Sequence, residues 1–76
     1  MAKFTREEVE AKVKSGESLE GVDLRGLNLS YTTLSFTNLS RAYLSGAYLS
    51  GVYWWNTTCP DGTNSDDNGD TCENNL

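Results

Sequence analysis

Residues 17–56 read ESLEGVDLRGLNLSYTTLSFTNLSRAYLSGAYLSGVYWWN, and this stretch decides the fold. Leucine stands at Leu19, Leu24, Leu29, Leu34, Leu39, Leu44 and Leu49, and Trp54 takes the next beat. A period of five belongs neither to an α-helix, near 3.6, nor to a half-buried strand, at 2. Self-similarity at a fixed short period marks a solenoid, in which each unit buries its apolar group only by stacking on its neighbours. A leucine-rich helix is excluded by chemistry. Gly, Ser, Thr, Asn and β-branched residues crowd the segment, and all are poor helix formers.

Two residues before the leucines and Trp54 stand Glu17, Val22, Leu27, Thr32, Thr37, Ala42, Ala47 and Val52. After the first, all are small, β-branched or apolar, as a second inward position requires. Between the two inward positions lie Ser18, Asp23, Asn28, Thr33 and Asn38, then Tyr43, Tyr48 and Tyr53. Written as quintets, the run is GVDLR-GLNLS-YTTLS-FTNLS-RAYLS-GAYLS-GVYWW. It resembles the pentapeptide-repeat family, whose consensus is a small residue, Asp or Asn, Leu, and two variable positions. The resemblance implies an all-β solenoid: a right-handed quadrilateral (four-sided) β-helix, with one quintet per side and about two coils. Leucines then stack twenty apart, Leu19 on Leu39, Leu24 on Leu44 and Leu29 on Leu49, with Leu34 beneath Trp54. So short a solenoid needs caps, because open ends expose leucines and unpaired backbone.

Three parts follow: residues 1–16 as an N-terminal capping helix, 17–56 as the repeat, and 57–76 as an acidic, Asn/Asp-rich loop. Thr5 and Glu8 have the spacing of a capping box, with Phe4 and Val9 as its hydrophobic staple. Ala2 to Ser15 reads as one short helix over about residues 6–15, stopped by Gly16, with Val9 and Val13 laid over the first rung. A membrane-surface helix is disfavoured by the narrow apolar stripe and by Glu7, Glu8 and Glu10. From Asn56 onward no aliphatic residue occurs before Leu76, and that composition reads as loop. Both cysteines lie there. A disulfide between Cys59 and Cys72 would contribute roughly 3 kcal/mol by constraining the unfolded chain. The other reading is two free thiols. Two cysteines without histidine cannot complete a zinc site.

The net charge is −5, unevenly spread. Residues 1–55 hold six acids and six bases, whereas Asp61, Asp66, Asp67, Asp70 and Glu73 follow with no base. Some pentapeptide-repeat proteins imitate DNA through long acidic solenoids. A repeat carrying Glu17, Glu20 and Asp23 against Arg25 and Arg41 is too short and too neutral for that. No basic patch supports direct nucleic-acid binding. Residues 64–70, NSDDNGD, resemble the first half of a calcium loop of the D-x-[DN]-x-[DN]-G kind. Asp66, Asn68 and Asp70 are its candidate ligands, with Asp61 a possible extra. Asn64 replaces the first Asp, Asn75 stands where the bidentate Glu belongs, and Glu73 comes two residues early. The competing reading is a solvated cap whose Asx side chains bond their own backbone.

Tyr43, Tyr48 and Tyr53 stand where the family usually has Asp or Asn. The resemblance points them outward on three adjacent sides of the second coil, with Trp55, Tyr31 and Phe36 outside or at corners. Outward aromatics mark an interface, since Tyr and Trp anchor protein contacts. Alternatively, the C-terminal segment folds over them, or they take a carbohydrate or other flat ligand. The sequons at Asn28 and Asn38 largely restate the repeat, and Asn56 begins a third. Thr32, Thr33 and Thr37 are too few for an ice-binding array.

Catalysis is disfavoured. The chain has no histidine to serve as a general base, and Ser and Thr lack an activating partner. The sequence therefore points to a non-catalytic structural or protein-interaction module, with an unknown protein or itself as partner. A calcium-binding module is the alternative. No cofactor is implied beyond that calcium. The charged N-terminus has no signal-peptide h-region and nothing spans a membrane, so a cytoplasmic default follows, with the disulfide reading pulling toward export. Bacterial origin is expected from the resemblance alone.

Overall fold

The structure, a computed structural model, describes residues 4–76. The capping helix α1 spans Arg6–Lys14. Thr5 is its N-cap: the Thr5 hydroxyl accepts from Glu8 N–H at 3.2 Å, and the Glu8 carboxylate accepts from Thr5 N–H at 3.0 Å. Two orphan donors are thus satisfied reciprocally. The helix ends in a Schellman arrangement, with Gly16 N–H donating to Val13 O and Glu17 N–H to Lys12 O. Residues 1–3 of the expected cap lie outside the described residues.

Beyond Gly16 the chain coils on itself with a twenty-residue repeat. Parallel bridges join Asp23 to Tyr43, Asn28 to Tyr48, Thr33 to Tyr53 and Asn38 to Thr58. Each of these four ladders is short. Leu24 N–H donates to Tyr43 O at 2.8 Å, Gly26 N–H to Ser45 O at 3.2 Å, and Tyr43 N–H returns to Val22 O at 2.9 Å. The pairing stays at isolated bridges, and no extended strand or sheet forms among the described residues. The ladders cannot lengthen because the backbone turns at every fifth residue. Gly16, Gly21, Gly26, Tyr31, Phe36, Arg41, Gly46, Gly51 and Asn56 all have φ between 51° and 75°. This left-handed conformation suits Gly and costs an L-residue roughly 1–2 kcal/mol. Tyr31, Phe36, Arg41 and Asn56 adopt it nonetheless.

The two positions expected to point inward do so. Leu19, Leu24, Leu29, Leu34 and Leu39 are completely buried, and Leu44, Leu49 and Trp54 close the second rung. Val9 of α1 is also fully buried, and Phe4 and Val13 pack against the same core. The helix therefore covers the first rung. Inner threonines satisfy their hydroxyls on nearby carbonyls, Thr32 on Leu29 O at 2.7 Å and Thr57 on Leu34 O at 2.8 Å.

The coil runs further than residues 17–56. Leu39 N–H donates to Thr58 O, Arg41 N–H to Pro60 O, and Cys59 is fully buried. Cys59 is the next fifth-residue beat after Trp54, with a sulfur in place of an isobutyl group. A disulfide joins it to Cys72, with Cα atoms 5.3 Å apart. The tail is held by Asx and backbone bonds as well. Thr58 bridges Asn64 antiparallel, and a 3-10 turn spans Ser65–Asp67. The Asp61 carboxylate accepts from Thr63 N–H, Thr63 Oγ1 and the Asn75 amide at 3.0, 2.6 and 2.9 Å.

Candidate interaction surfaces

The outer position of each quintet is normally a turn-former. Asn28 Oδ1 accepts from Ser30 N–H at 3.1 Å, Asn38 Oδ1 from Ser40 N–H at 2.9 Å, and Asp23 Oδ1 from Arg25 N–H at 3.2 Å. Each is an Asx bond that stiffens the approach to a left-handed corner. Tyr43, Tyr48 and Tyr53 cannot make it. The N–H groups of Ser45, Ser50 and Trp55 accordingly donate to no described residue. Three successive quintets thus forgo a local bond and carry an outward ring.

Those rings are open to solvent. Tyr43 is 59% exposed, Tyr48 64%, Tyr53 66% and Trp55 68%, so the C-terminal segment does not cover them. Each tyrosine stands on a different ladder, separated from the next by a left-handed corner. They surround the second coil and do not form one flat face. Tyr31 and Phe36, also largely exposed, sit at corners. Tyr31 lies over Gly51: a Cβ built on Gly51 would come within 2.5 Å of Tyr31 Cε1 and 3.2 Å of Cγ.

Tyr43 has a neighbour that the sequence did not suggest. Arg25 reaches back to Asp23, with Nε to Oδ1 at 2.9 Å and Nη2 to Oδ2 at 2.8 Å, and its guanidinium lies 5.7 Å from the Tyr43 ring centroid. Arg25 holds the Asp23 carboxyl well below the usual carboxylate range, and Asp23 raises the Arg25 guanidinium. The only available signal was the twenty-residue register, which puts Asp23 opposite Tyr43.

The second coil also ends in a backbone edge. The N–H groups of Leu44, Gly46, Leu49, Gly51 and Trp54 donate to no described residue. Their counterparts one coil earlier are all paired, from Leu24 to Tyr43 O through Leu34 to Tyr53 O. The tail caps only the fourth ladder, where Asn56 N–H reaches Asp66 Oδ1, Thr57 N–H reaches Ser65 Oγ and Cys59 N–H reaches Thr63 O.

Among the candidate calcium ligands, Asp66 and Asn68 bond within the cap. Asp66 Oδ1 holds the Asn56 N–H at 2.9 Å, and the Asn68 amide donates to Thr63 Oγ1 at 2.7 Å. Asp66 and Asp70 line one hollow together with Trp54 and Trp55, without Asn68 or Asp61. No group of three or more His, Cys, Asp or Glu side chains is gathered to hold a metal among the described residues. No described helix is long and apolar enough to cross a membrane.

Comparison with known proteins agrees with the geometry. The pentapeptide-repeats family model matches residues 18–57 as eight copies. No curated protein and no solved structure shows significant similarity. The match covers more than half of the chain, and with the five-residue rungs and left-handed corners in place, the protein belongs to the pentapeptide-repeat family, whose repeats build β-helical solenoids.

Proposed function

We propose that this protein is a non-catalytic interaction module that associates with a second copy of itself through the second coil. In this reading the scaffold is a right-handed, four-sided β-helix of about two coils, and the tyrosines that ring it are its contact residues. The observation that carries it is the coincidence of two features on one coil. Tyr43, Tyr48 and Tyr53 replace turn-forming residues and stay exposed, and the edge of the same coil carries five N–H groups with no partner among the described residues. Exposed aromatics supply contact area at low entropic cost, and an open edge supplies hydrogen-bond donors to a second chain. Catalysis has no support. The chain lacks histidine, and both cysteines are consumed in the disulfide.

Sedimentation velocity of the wild type and of Tyr43→Asn, Tyr48→Asn and Tyr53→Asn tests the proposal. Each Asn restores the local turn bond, so folding is preserved. Because the three rings occupy separate ladders, the variant that reverts to monomer identifies the side in contact. A wild type that sediments as a monomer at every concentration up to the millimolar range refutes self-association.

A further inference from the structure

We propose that the hollow between Trp55 and the C-terminal cap is a binding site for a guanidinium group, presented by an arginine side chain of a partner protein. The inference uses Trp55 as a contact residue but does not depend on self-association. The hollow measures about 480 Å³ and is lined by Trp54, Trp55, Asp66 and Asp70. Trp55 offers an exposed indole. Trp54 is only 8% exposed and sets its indole against the core side of the hollow's lining. Among the described residues neither Asp66 nor Asp70 enters an ion pair, and residues 56–76 contain no Lys or Arg to neutralise them. The bond from Asn56 N–H to Asp66 Oδ1 fixes that carboxylate and leaves Oδ2 free to accept.

An aromatic lining with two carboxylates that pair with no described cation selects a particular cation. Calcium needs about six to eight oxygens, and two carboxylates against indole carbon supply too few. An ammonium is a compact, strongly hydrated point charge that gains less from a flat wall. A guanidinium is planar and weakly hydrated, stacks on aromatic faces and forks onto carboxylates. The chain already builds this combination internally. Arg25 grips Asp23 through two nitrogens and lies over Tyr43. The Trp55 hollow has the same carboxylate and ring chemistry without the arginine.

The test is NMR titration of the oxidised full-length protein with N-acetyl-arginine amide, reading the Trp54 indole N–H signal. The matching lysine amide and calcium chloride are run at equal ionic strength. A saturable shift at roughly 1–10 mM arginine amide is expected, in keeping with one weak stacked ion pair. Lysine amide should bind at least threefold more weakly. Trp55→Ala should abolish the shift, and Asp66→Asn and Asp70→Asn should each weaken it fivefold or more. Trp54 still reports in every variant, and its dispersed indole signal verifies folding. A linear, non-saturating response, or an unchanged affinity in Trp55→Ala, overturns the assignment. Saturation by calcium but not by arginine amide also overturns it and returns the hollow to the metal reading.

Discussion

Gly51→Ala should be more damaging than Gly21→Ala, and the difference should vanish when Tyr31 is removed. Both glycines are exposed corners with nearly equal backbone geometry, φ 70° at Gly21 and 71° at Gly51. A methyl on Gly21 meets nothing within 4 Å. Its cost is the left-handed penalty of about 1–2 kcal/mol, reduced by about 0.4–1 kcal/mol because alanine restricts the unfolded chain. The net loss is about 0.5–1.5 kcal/mol. At Gly51 the same methyl runs into the Tyr31 ring, including Cγ at 3.2 Å. An atom so near the backbone forces the whole ring off its rotamer, adding about 0.5–1.5 kcal/mol. In a Tyr31→Gly background that addition has no source, so Gly51→Ala should fall to the Gly21→Ala value. The assay is urea unfolding of the oxidised proteins followed by tryptophan fluorescence, read as a double-mutant cycle. Equal losses for the two glycines, or a loss at Gly51 that Tyr31→Gly does not change, would refute the stacking of Tyr31 on the next coil.

Four further outcomes follow from the same geometry. Phe36→Gly should stabilise the fold by roughly 0.5–1 kcal/mol, because relief of the left-handed penalty exceeds the added unfolded-state entropy. Urea midpoints would show it, and a clear loss would mean that the exposed ring carries packing energy. Reducing Cys59–Cys72, or replacing both cysteines by serine, should cost about 3 kcal/mol, measured by unfolding with and without reductant. Thr5→Ala should cost about 1 kcal/mol and raise exchange of the α1 amides, since the capping box loses its hydroxyl. Below pH about 4 the cap should loosen. Thr63 and Asn75 donate to Asp61 and hold its carboxyl below the ordinary value near 3.9, so its contribution is complete above that value and lost as acid protonates it in the fold. Amide exchange of residues 61–75 as a function of pH measures this, and a pH-independent cap would contradict it.

Much of the architecture was legible because a period of five leaves few alternatives. The leucine beats and the residues two before them named the inner positions, and Thr5 with Glu8 named the start of α1. Other features depend on register more than on composition. Cys59 lies in the rung series, yet a cysteine among Asn and Thr reads as loop chemistry, so composition alone ends the coil short of Pro60. The tail showed no aliphatic core, and its order comes from side-chain oxygens folded onto nearby N–H groups, as at Asp61 and Asn64. The glycine corners hinted at the left-handed position. Tyr31, Phe36 and Arg41 concealed it, because no propensity places them at positive φ. The exposed tyrosines were found from their departure from Asx. Their separation onto different ladders and the stacking of Arg25 on Tyr43 required the coil to be closed.

The claim that the second coil is a contact surface is tested most directly by amide hydrogen–deuterium exchange, comparing dilute with concentrated protein. The N–H groups of Leu44, Gly46, Leu49, Gly51 and Trp54 have no partner among the described residues, so they should exchange rapidly when dilute. On concentration they should slow at least tenfold, while Leu24, Leu29 and Leu34, already paired between coils, stay unchanged. Rapid exchange of all five at both concentrations would contradict the account.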